Sequence, residues 1–107
     1  MRQFLIYVTT KDKEEARAIG RNIVQSRLAA CVNIFDHMNS IYYWEDTLQD
    51  DQEAVLIAKT AGARVPELIE AIKQQHSYDC PCIVTFPIES GNPAFLQWIE
   101  AQVNSAE

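Results

Sequence analysis

The chain has 107 residues, 48% of them hydrophobic, which supplies enough apolar material for one core and predicts a single domain over residues 1–107. A formal net charge of -6 with scattered lysines and arginines argues against a nucleic-acid partner, because a phosphate backbone needs clustered cations. No apolar run is long enough to span a bilayer, so we expect no membrane partner.

The N-terminal residues and the cysteines predict the compartment. The first ten residues, MRQFLIYVTT, lack the small-residue cleavage pattern of a secretion signal. Three cysteines without a C-x-x-C pair do not make a disulfide framework. We therefore expect reduced thiols and a cytoplasmic location.

The first predicted elements are a strand and a helix. Phe4 to Thr9 is an almost continuous apolar run rich in β-forming residues, which is typical of a strand buried on both faces. Asp12 and Glu15 have the spacing of a capping box, and the apolar stripe after them predicts a helix to about Leu28.

Two further strands are predicted around an acidic turn. Ala30 to Trp44 contains no proline or glycine and predicts a long second strand, which polar residues around Asp36 and His37 interrupt with a bulge or a rim position. From Glu53 to Thr60 the side chains that would point to either face of a strand are mostly apolar, which predicts a third strand. Residues 40–60 therefore predict a hairpin that is too long to be covered by its own domain.

A second helix, a fourth strand and a third helix complete the predicted order. An apolar stripe from Val65 to Ile72 indicates a helix with Pro66 in its first turn and His76 near its end. Cys82 to Ile88 predicts the fourth strand, and Asn92 is the expected N-cap of the last helix. The buried side of that helix is expected to be Phe95, Ile99 and Val103.

The order βαββαβ plus a terminal helix predicts a ferredoxin-like sandwich, an α+β fold in which two helices cover one face of the sheet. Because the first and third strands are apolar on both faces, the second face must be covered by the last helix or by another copy of the chain, and we infer an oligomer. Roughly a few hundred Å² hidden between subunits, at about 25 cal/mol per Å², would contribute several kcal/mol, comparable with the stability of a small domain.

Five stretches resemble the CutA, or divalent-cation tolerance, family over nearly the whole chain. They are LAACVNI at 28–34, SIYYWE at 40–45, Lys59-Thr60, His76-x-Tyr78-Asp79-x-Pro81, and Gly91-Asn92 before Phe95-Leu96-x-Trp98. The resemblance implies a ferredoxin-like homotrimer similar to the PII signalling proteins, in which long hairpins pair with the neighbouring subunit. It also implies a function in divalent-cation tolerance, with binding of copper or another divalent metal and a response to it.

This sequence lacks some of the metal ligands that the resemblance implies. Copper binding in the family involves a cysteine at the end of strand one and adjacent histidines ending helix two; here those positions are Val8, and Gln75 followed by His76. A replacement set is His76, Cys80 and Cys82, because two thiolates on one side of a strand with an imidazole nearby suit Cu(I) or Zn(II). The alternative is that both cysteines are small buried hydrophobes and His76 interacts with the helix dipole.

A second candidate site is a ligand-binding cleft of Trp44, Glu45, Lys59, Tyr78 and Asp79, which the resemblance would bring together between subunits. Lys59 supplies a cation, the aromatic rings supply stacking faces and Asp79 could orient a donor, which suits a small anionic metabolite. The alternative is that Lys59 pairs with Asp79 or Glu45 to lock the trimer, with Trp44 packed in the interface.

Two loops depart from the family pattern. Family members commonly carry a glycine after Trp-Glu, which suits positive φ, whereas the residue here is Asp46, which adopts that geometry less readily. The usual His-Pro-Tyr-Glu is His-Ser-Tyr-Asp at 76–79, so the acid at Asp79 is one methylene shorter.

The remaining reactive residues give no catalytic constellation. Cys31 is predicted to be a core thiol and His37 a polar rim residue, about 20 Å away along the strand and too far to act as its base. The loop from Thr9 to Asp12 has no glycine and contains an acid, so it lacks the phosphate cradle of small hydrolases that share the fold. We expect no enzyme activity; the functions considered are divalent-cation tolerance, PII-like sensing of an anion, or a non-catalytic trimeric scaffold for partner proteins.

Overall fold

The computed structural model describes residues 2–104, which form one four-stranded antiparallel sheet and three α-helices. The elements are β1 (Gln3–Thr10), α1 (Lys13–Gln25), β2 (Cys31–Trp44), β3 (Thr47–Ala61), α2 (Val65–Gln75), β4 (Ile83–Ile88) and α3 (Pro93–Asn104). A 3-10 turn at Gly62–Arg64 leads into α2, and the strands lie in the order β2-β3-β1-β4. The predicted α+β ferredoxin-like fold with a C-terminal helix is confirmed.

One face of the sheet carries the main core beneath α1 and α2. Ile6 and Val8 of β1 lie opposite Ala58 and Leu56 of β3, so these side chains point to the same side of the sheet. They are fully buried, together with the stripes of the two helices that pack on them. The helical contribution consists of Ala16, Ile19 and Ile23 from α1 and Leu68 and Ile72 from α2.

Helix α1 begins as predicted but ends earlier. Asp12 Oδ1 accepts a hydrogen bond from Glu15 N at 2.8 Å, so the predicted N-cap forms, while Glu15 Oε1 accepts its return bond from Lys11 N at 3.0 Å, one residue before the cap. The prediction of a helix to about Leu28 is wrong, because Arg27 adopts a φ of 64° and turns the chain after Gln25. The sequence offers no glycine at that turn.

The long hairpin of β2 and β3 projects from the sheet. A register shift between Phe35 and Met38, with His37 at a φ of 60°, confirms the predicted bulge. β3 starts at Thr47, so the prediction of a strand beginning at Glu53 is wrong: residues 47–52 are polar apart from Leu48, yet they pair with β2 as far as Trp44. The chain consequently measures 44 × 25 × 21 Å.

The second face of the sheet, called here the open face, presents Leu5, Tyr7, Ile57, Val84 and Phe86, which are aligned by the β1–β3 and β1–β4 registers. Helix α3 covers one end of this face, where Ile99 and Val103 are fully buried with Ala30 and Ala61. Farther along, Phe86 is 53% exposed. The apolar side chains of β1 and β3 on this side of the sheet are therefore only partly covered by the described part of the chain.

Helix α3 confirms its predicted cap but only part of its predicted buried side. Asn92 Oδ1 accepts a hydrogen bond from Ala94 N at 3.1 Å, as expected of an N-cap. Ile99 and Val103 are buried as predicted, whereas Phe95 is 41% exposed, so its predicted burial is wrong. Phe95 instead stacks on Trp98 with ring centroids 5.4 Å apart, and the pair faces outward.

Across residues 2–104, none of the helices has the length and apolar character needed to cross a membrane.

Candidate functional site

A cavity of about 690 Å³ lies on the open face at the base of the hairpin. This cavity, called the hairpin pocket, is lined in part by Tyr7, Met38, Tyr42, Trp44, Glu53 and Tyr78. These residues come from β1, β2, β3 and the loop after α2, so the pocket exists only when the sheet and the hairpin are assembled. Its size is in the range of small-molecule sites.

A buried carboxylate forms the floor of the hairpin pocket. Glu53 is only 8% exposed, and its Oε2 accepts a hydrogen bond from the Tyr78 hydroxyl at 2.7 Å. Burial of the ring is the main reason that the pKa of Tyr78 is raised far above that of a free tyrosine, and the hydrogen bond to Glu53 raises it further. Tyr78 therefore stays protonated and donates permanently to Glu53.

A second phenol in the same pocket also faces an acid. The Tyr42 hydroxyl donates to Asp51 Oδ2 at 3.1 Å, and this bond is the main reason that the pKa of Tyr42 is raised. The charge of Glu53 raises the pKa of Tyr42 further. Both phenols thus experience the negative potential of neighbouring carboxylates.

The structure brings together three of the five residues predicted for a ligand cleft. Trp44, Tyr78 and Asp79 line the hairpin pocket. Glu45 lies in the tight turn beyond Trp44 with a φ of 50° and does not line the pocket. Lys59 also lies elsewhere, six residues from Glu53 and about 20 Å away along β3.

Lys59 instead occupies the other end of the open face. Its Nζ donates to Asn33 Oδ1 and lies 3.7 Å from Cys31 Sγ. Cys31 is only half-buried there, so its prediction as a core thiol is wrong; its strand position places it opposite Lys59 on the open face rather than under the helices. His37 is an exposed rim residue, as predicted.

The predicted metal set of His76, Cys80 and Cys82 is not assembled. The His76 side chain is fully buried. Its Nε2 bonds to the Thr9 carbonyl at 2.7 Å, and its Nδ1 accepts from Tyr78 N at 3.1 Å. A carbonyl only accepts and an amide only donates, so Nε2 is the donor and Nδ1 the acceptor in these two contacts. Both nitrogens are thereby occupied, and within residues 2–104 no three His, Cys, Asp or Glu side chains are placed to hold a metal.

The two cysteines of that set are nevertheless accessible. Cys80 and Cys82 are exposed free thiols, so the alternative that they are buried hydrophobes is wrong. Both line the hairpin pocket. Cys82 lies just before β4, where its carbonyl accepts a backbone hydrogen bond from Thr9 N at 3.4 Å.

Some residues of the hairpin pocket were not predicted from the sequence. Glu53 was assigned to a strand without a role, and Tyr7 and Met38 were not singled out, although the Tyr7 hydroxyl lies 3.6 Å from Met38 Sδ. Their proximity depends on strand register and on the bulge. The one local signal for Glu53 is an acid directly before the apolar run 54–58.

A second cavity of about 540 Å³ lies between the start of α1 and the bulge of β2. Its charged lining includes Lys11, Asp12, Lys13, Glu14, Arg17 and Asp36. Asp12 and Asp36 already accept backbone hydrogen bonds from Glu15 and His37. This mixture of charges favours no single class of ligand, so the hairpin pocket is the better candidate.

The fold and the pocket together define a small ferredoxin-like protein with a projecting hairpin and a ligand-sized cavity at its base. Comparison with family models matches residues 4–102 to "CutA1 divalent ion tolerance protein". The chain therefore belongs to the CutA1 divalent ion tolerance family, as the sequence motifs predicted.

Individual relatives agree with this assignment. The chain is 41% identical over 95 residues to the divalent-cation tolerance protein CutA of Thermus thermophilus, covering 89% of this chain and 92% of that protein. It is 38% identical over 96 residues, 90% of its length, to the chloroplastic protein CutA 1 of Oryza sativa. The chain spans 54% of the rice protein and 56% of the mouse protein CutA.

Solved structures show the same fold. The periplasmic divalent cation tolerance protein CutA from Archaeoglobus fulgidus has a TM-score of 0.91 at 39% identity, covering 94% of this chain and 98% of the other. The rice CutA1 structure has a TM-score of 0.92 at 36% identity, covering 95% of this chain and 94% of the other.

Proposed function

We propose that this protein is the subunit of a homotrimeric, non-catalytic divalent-cation tolerance protein that binds copper or zinc through Cys80 and Cys82. The observation that carries the metal part is that two exposed thiols, two residues apart, line one cavity. Family membership supports the role in metal tolerance.

The thiol pair suits a soft metal. Cys80 and Cys82 lie in the loop before β4, two residues apart, and both side chains are exposed to the same cavity. Two metal–sulfur bonds of about 2.3 Å can span the gap between two such thiolates. Thiolates select Cu(I), whereas zinc would need two further ligands to complete its tetrahedron.

The open face supports the homotrimer. Phe86 and Val84 are exposed on it, and Phe35 adds a further exposed ring at the base of β2. Contiguous apolar surface of this kind marks an interface. The hairpin, which projects beyond the sheet, is long enough to reach across a neighbouring subunit, as the family resemblance implies.

The other predicted functions are less well supported. Sensing of an anionic metabolite would need Lys59 near Trp44 and Tyr78, but Lys59 lies at the far end of the open face, so a second subunit would have to supply it. A role as a scaffold for partner proteins rests on the trimer alone. The cytoplasmic location stays a prediction, because relatives are described as chloroplastic or periplasmic.

Titration of the reduced protein with Cu(I) tests the metal site. We expect one equivalent per chain, lost in the Cys80→Ser, Cys82→Ser double variant and kept in Cys31→Ser, whose thiol lies beside Lys59. Because both substituted thiols are exposed, the double variant should fold normally. Unchanged stoichiometry and affinity in the double variant would reject the site.

A further inference from the structure

The hairpin pocket has a consistent electrostatic character that the metal proposal does not use. Within the described residues, its lining includes the carboxylates of Glu53 and Asp79 but no lysine, arginine or histidine. The rings of Tyr7, Tyr42 and Tyr78 contribute aromatic surface around the same space. An acidic floor with aromatic walls attracts cations and repels anions.

Glu53 supplies the strongest part of this argument. It is 8% exposed, and no cation forms an ion pair with it among residues 2–104. The Tyr78 hydroxyl donates to one of its oxygens, which is far less compensation than a cation would give. A cation beside this carboxylate would gain an electrostatic partner in a place largely removed from water.

Tyr42 lies in the same field. The hydrogen bond to Asp51 is the main reason that the pKa of Tyr42 is raised, and the charge of Glu53 raises it further. A negative potential that raises the pKa of a phenol also lowers the free energy of a positive ligand in the same space. The rings of Tyr42 and Tyr78 present electron-rich faces to the pocket, which favours cation–π contact.

We propose that the hairpin pocket binds a small organic ammonium cation, with its positive head between Glu53 and the rings of Tyr42 and Tyr78. The apolar substituents of the cation would pack along the wall toward Trp44, at the outer end of the pocket. A hydrated divalent metal fits this arrangement less well, because aromatic faces offer it no oxygen, nitrogen or sulfur ligand. The site is therefore chemically separate from the thiol pair at its edge.

Choline and its neutral isostere 3,3-dimethylbutan-1-ol are matched probes, since they differ in charge but hardly in shape. We expect ligand-observed NMR titration of the whole protein to give a measurable choline affinity, at least about tenfold tighter than that of the isostere. Tyr42→Leu and Glu53→Gln should each weaken choline binding about tenfold. Tyr42 is 39% exposed, so its variant tests the ring without disturbing the core.

Two control variants separate the pocket from general effects. Tyr43→Leu removes a ring that is 73% exposed on the same hairpin but outside the pocket, and Glu89→Gln removes an exposed carboxylate elsewhere. Both should leave the affinity for choline unchanged. Cu(I) stoichiometry and choline affinity are separate readouts on the parent protein, so failure of the metal site and failure of this site give different results.

Three outcomes would overturn the proposal. The first is no choline binding by the native protein, and the second is equal affinity for choline and the neutral isostere. The third is choline binding that Tyr42→Leu and Glu53→Gln leave intact, which would place the cation elsewhere. If Glu53→Gln fails to fold, Tyr42→Leu alone decides the third outcome.

Discussion

Positive φ angles occur at four non-glycine residues of the described chain: Arg27, His37, Glu45 and Asp46. Each marks a place where the backbone reverses or bulges. Glu45 and Asp46 together, at 50° and 65°, form the two-residue turn of the hairpin, whose geometry matches the twist of the flanking strands. Asparagine and glycine are the usual residues there, so the turn carries local strain.

Replacing Asp46 with glycine should relieve part of this strain. An L-residue in the left-handed region costs roughly 1–2 kcal/mol, with aspartate at the low end, so Asp46→Gly should raise the free energy of unfolding by about 0.5–1 kcal/mol. Urea unfolding at matched chain concentration measures the change. Gln49→Gly, in extended β3, is the control and should lower stability; a loss of stability in Asp46→Gly would contradict the assignment of strain.

At the level of elements, Glu15 joins the start of α1 to the loop after α2. Its Oε2 accepts from Ser77 N at 2.8 Å and its Oε1 from Lys11 N. Burial acts to raise the pKa of Glu15, but the hydrogen bonds from Lys11 and Ser77 outweigh it, so the pKa is lowered. The ionised carboxylate therefore orders the loop that carries Tyr78 and the thiols.

The lowered pKa of Glu15 predicts a pH-dependent contribution to stability. A carboxylate with a depressed pKa stabilises the fold above its unfolded-state pKa, and this contribution disappears as the pH falls through the folded-state value. Glu15→Gln should therefore lower the melting temperature at neutral pH, and the difference from the parent protein should shrink in acid. Glu14→Gln is the exposed neighbour and the control. A constant difference across the pH range would refute the role of the charge.

The elements show which features can be predicted from sequence. The cap at Asp12, the bulge near His37 and the order of elements depend on neighbouring residues, and all were predicted correctly. The end of α1 and the start of β3 were not, because Arg27 adopts positive φ without a glycine signal and polar residues 47–52 are ordered by pairing with β2. The pocket was only partly predicted for the same reason: Glu53 and Tyr78 are 25 residues apart and meet through the fold.

For the whole molecule, the open face and the hairpin expose apolar side chains that the described part of the chain does not cover. The hairpin makes the molecule 44 Å long, about twice its other dimensions of 25 and 21 Å. The exposed rings of Tyr42 and Trp44 lie on the same side of the sheet as the open face, because strand register places them with Met38 and Glu53. Assembly would therefore enclose the hairpin pocket between subunits.

A charge on the open face should break this assembly. Phe86 is 53% exposed and lies opposite Leu5 near the centre of the face, so Phe86→Asp would place a carboxylate in the proposed interface. Burying that charge without a partner costs several kcal/mol, enough to shift a trimer to monomers at micromolar concentration. Native mass spectrometry and light scattering measure the subunit count. Gln74→Asp, exposed on α2 over the opposite face, should stay trimeric. A parent protein that is monomeric, or a Phe86→Asp variant that assembles as the parent does, would refute an interface on this face.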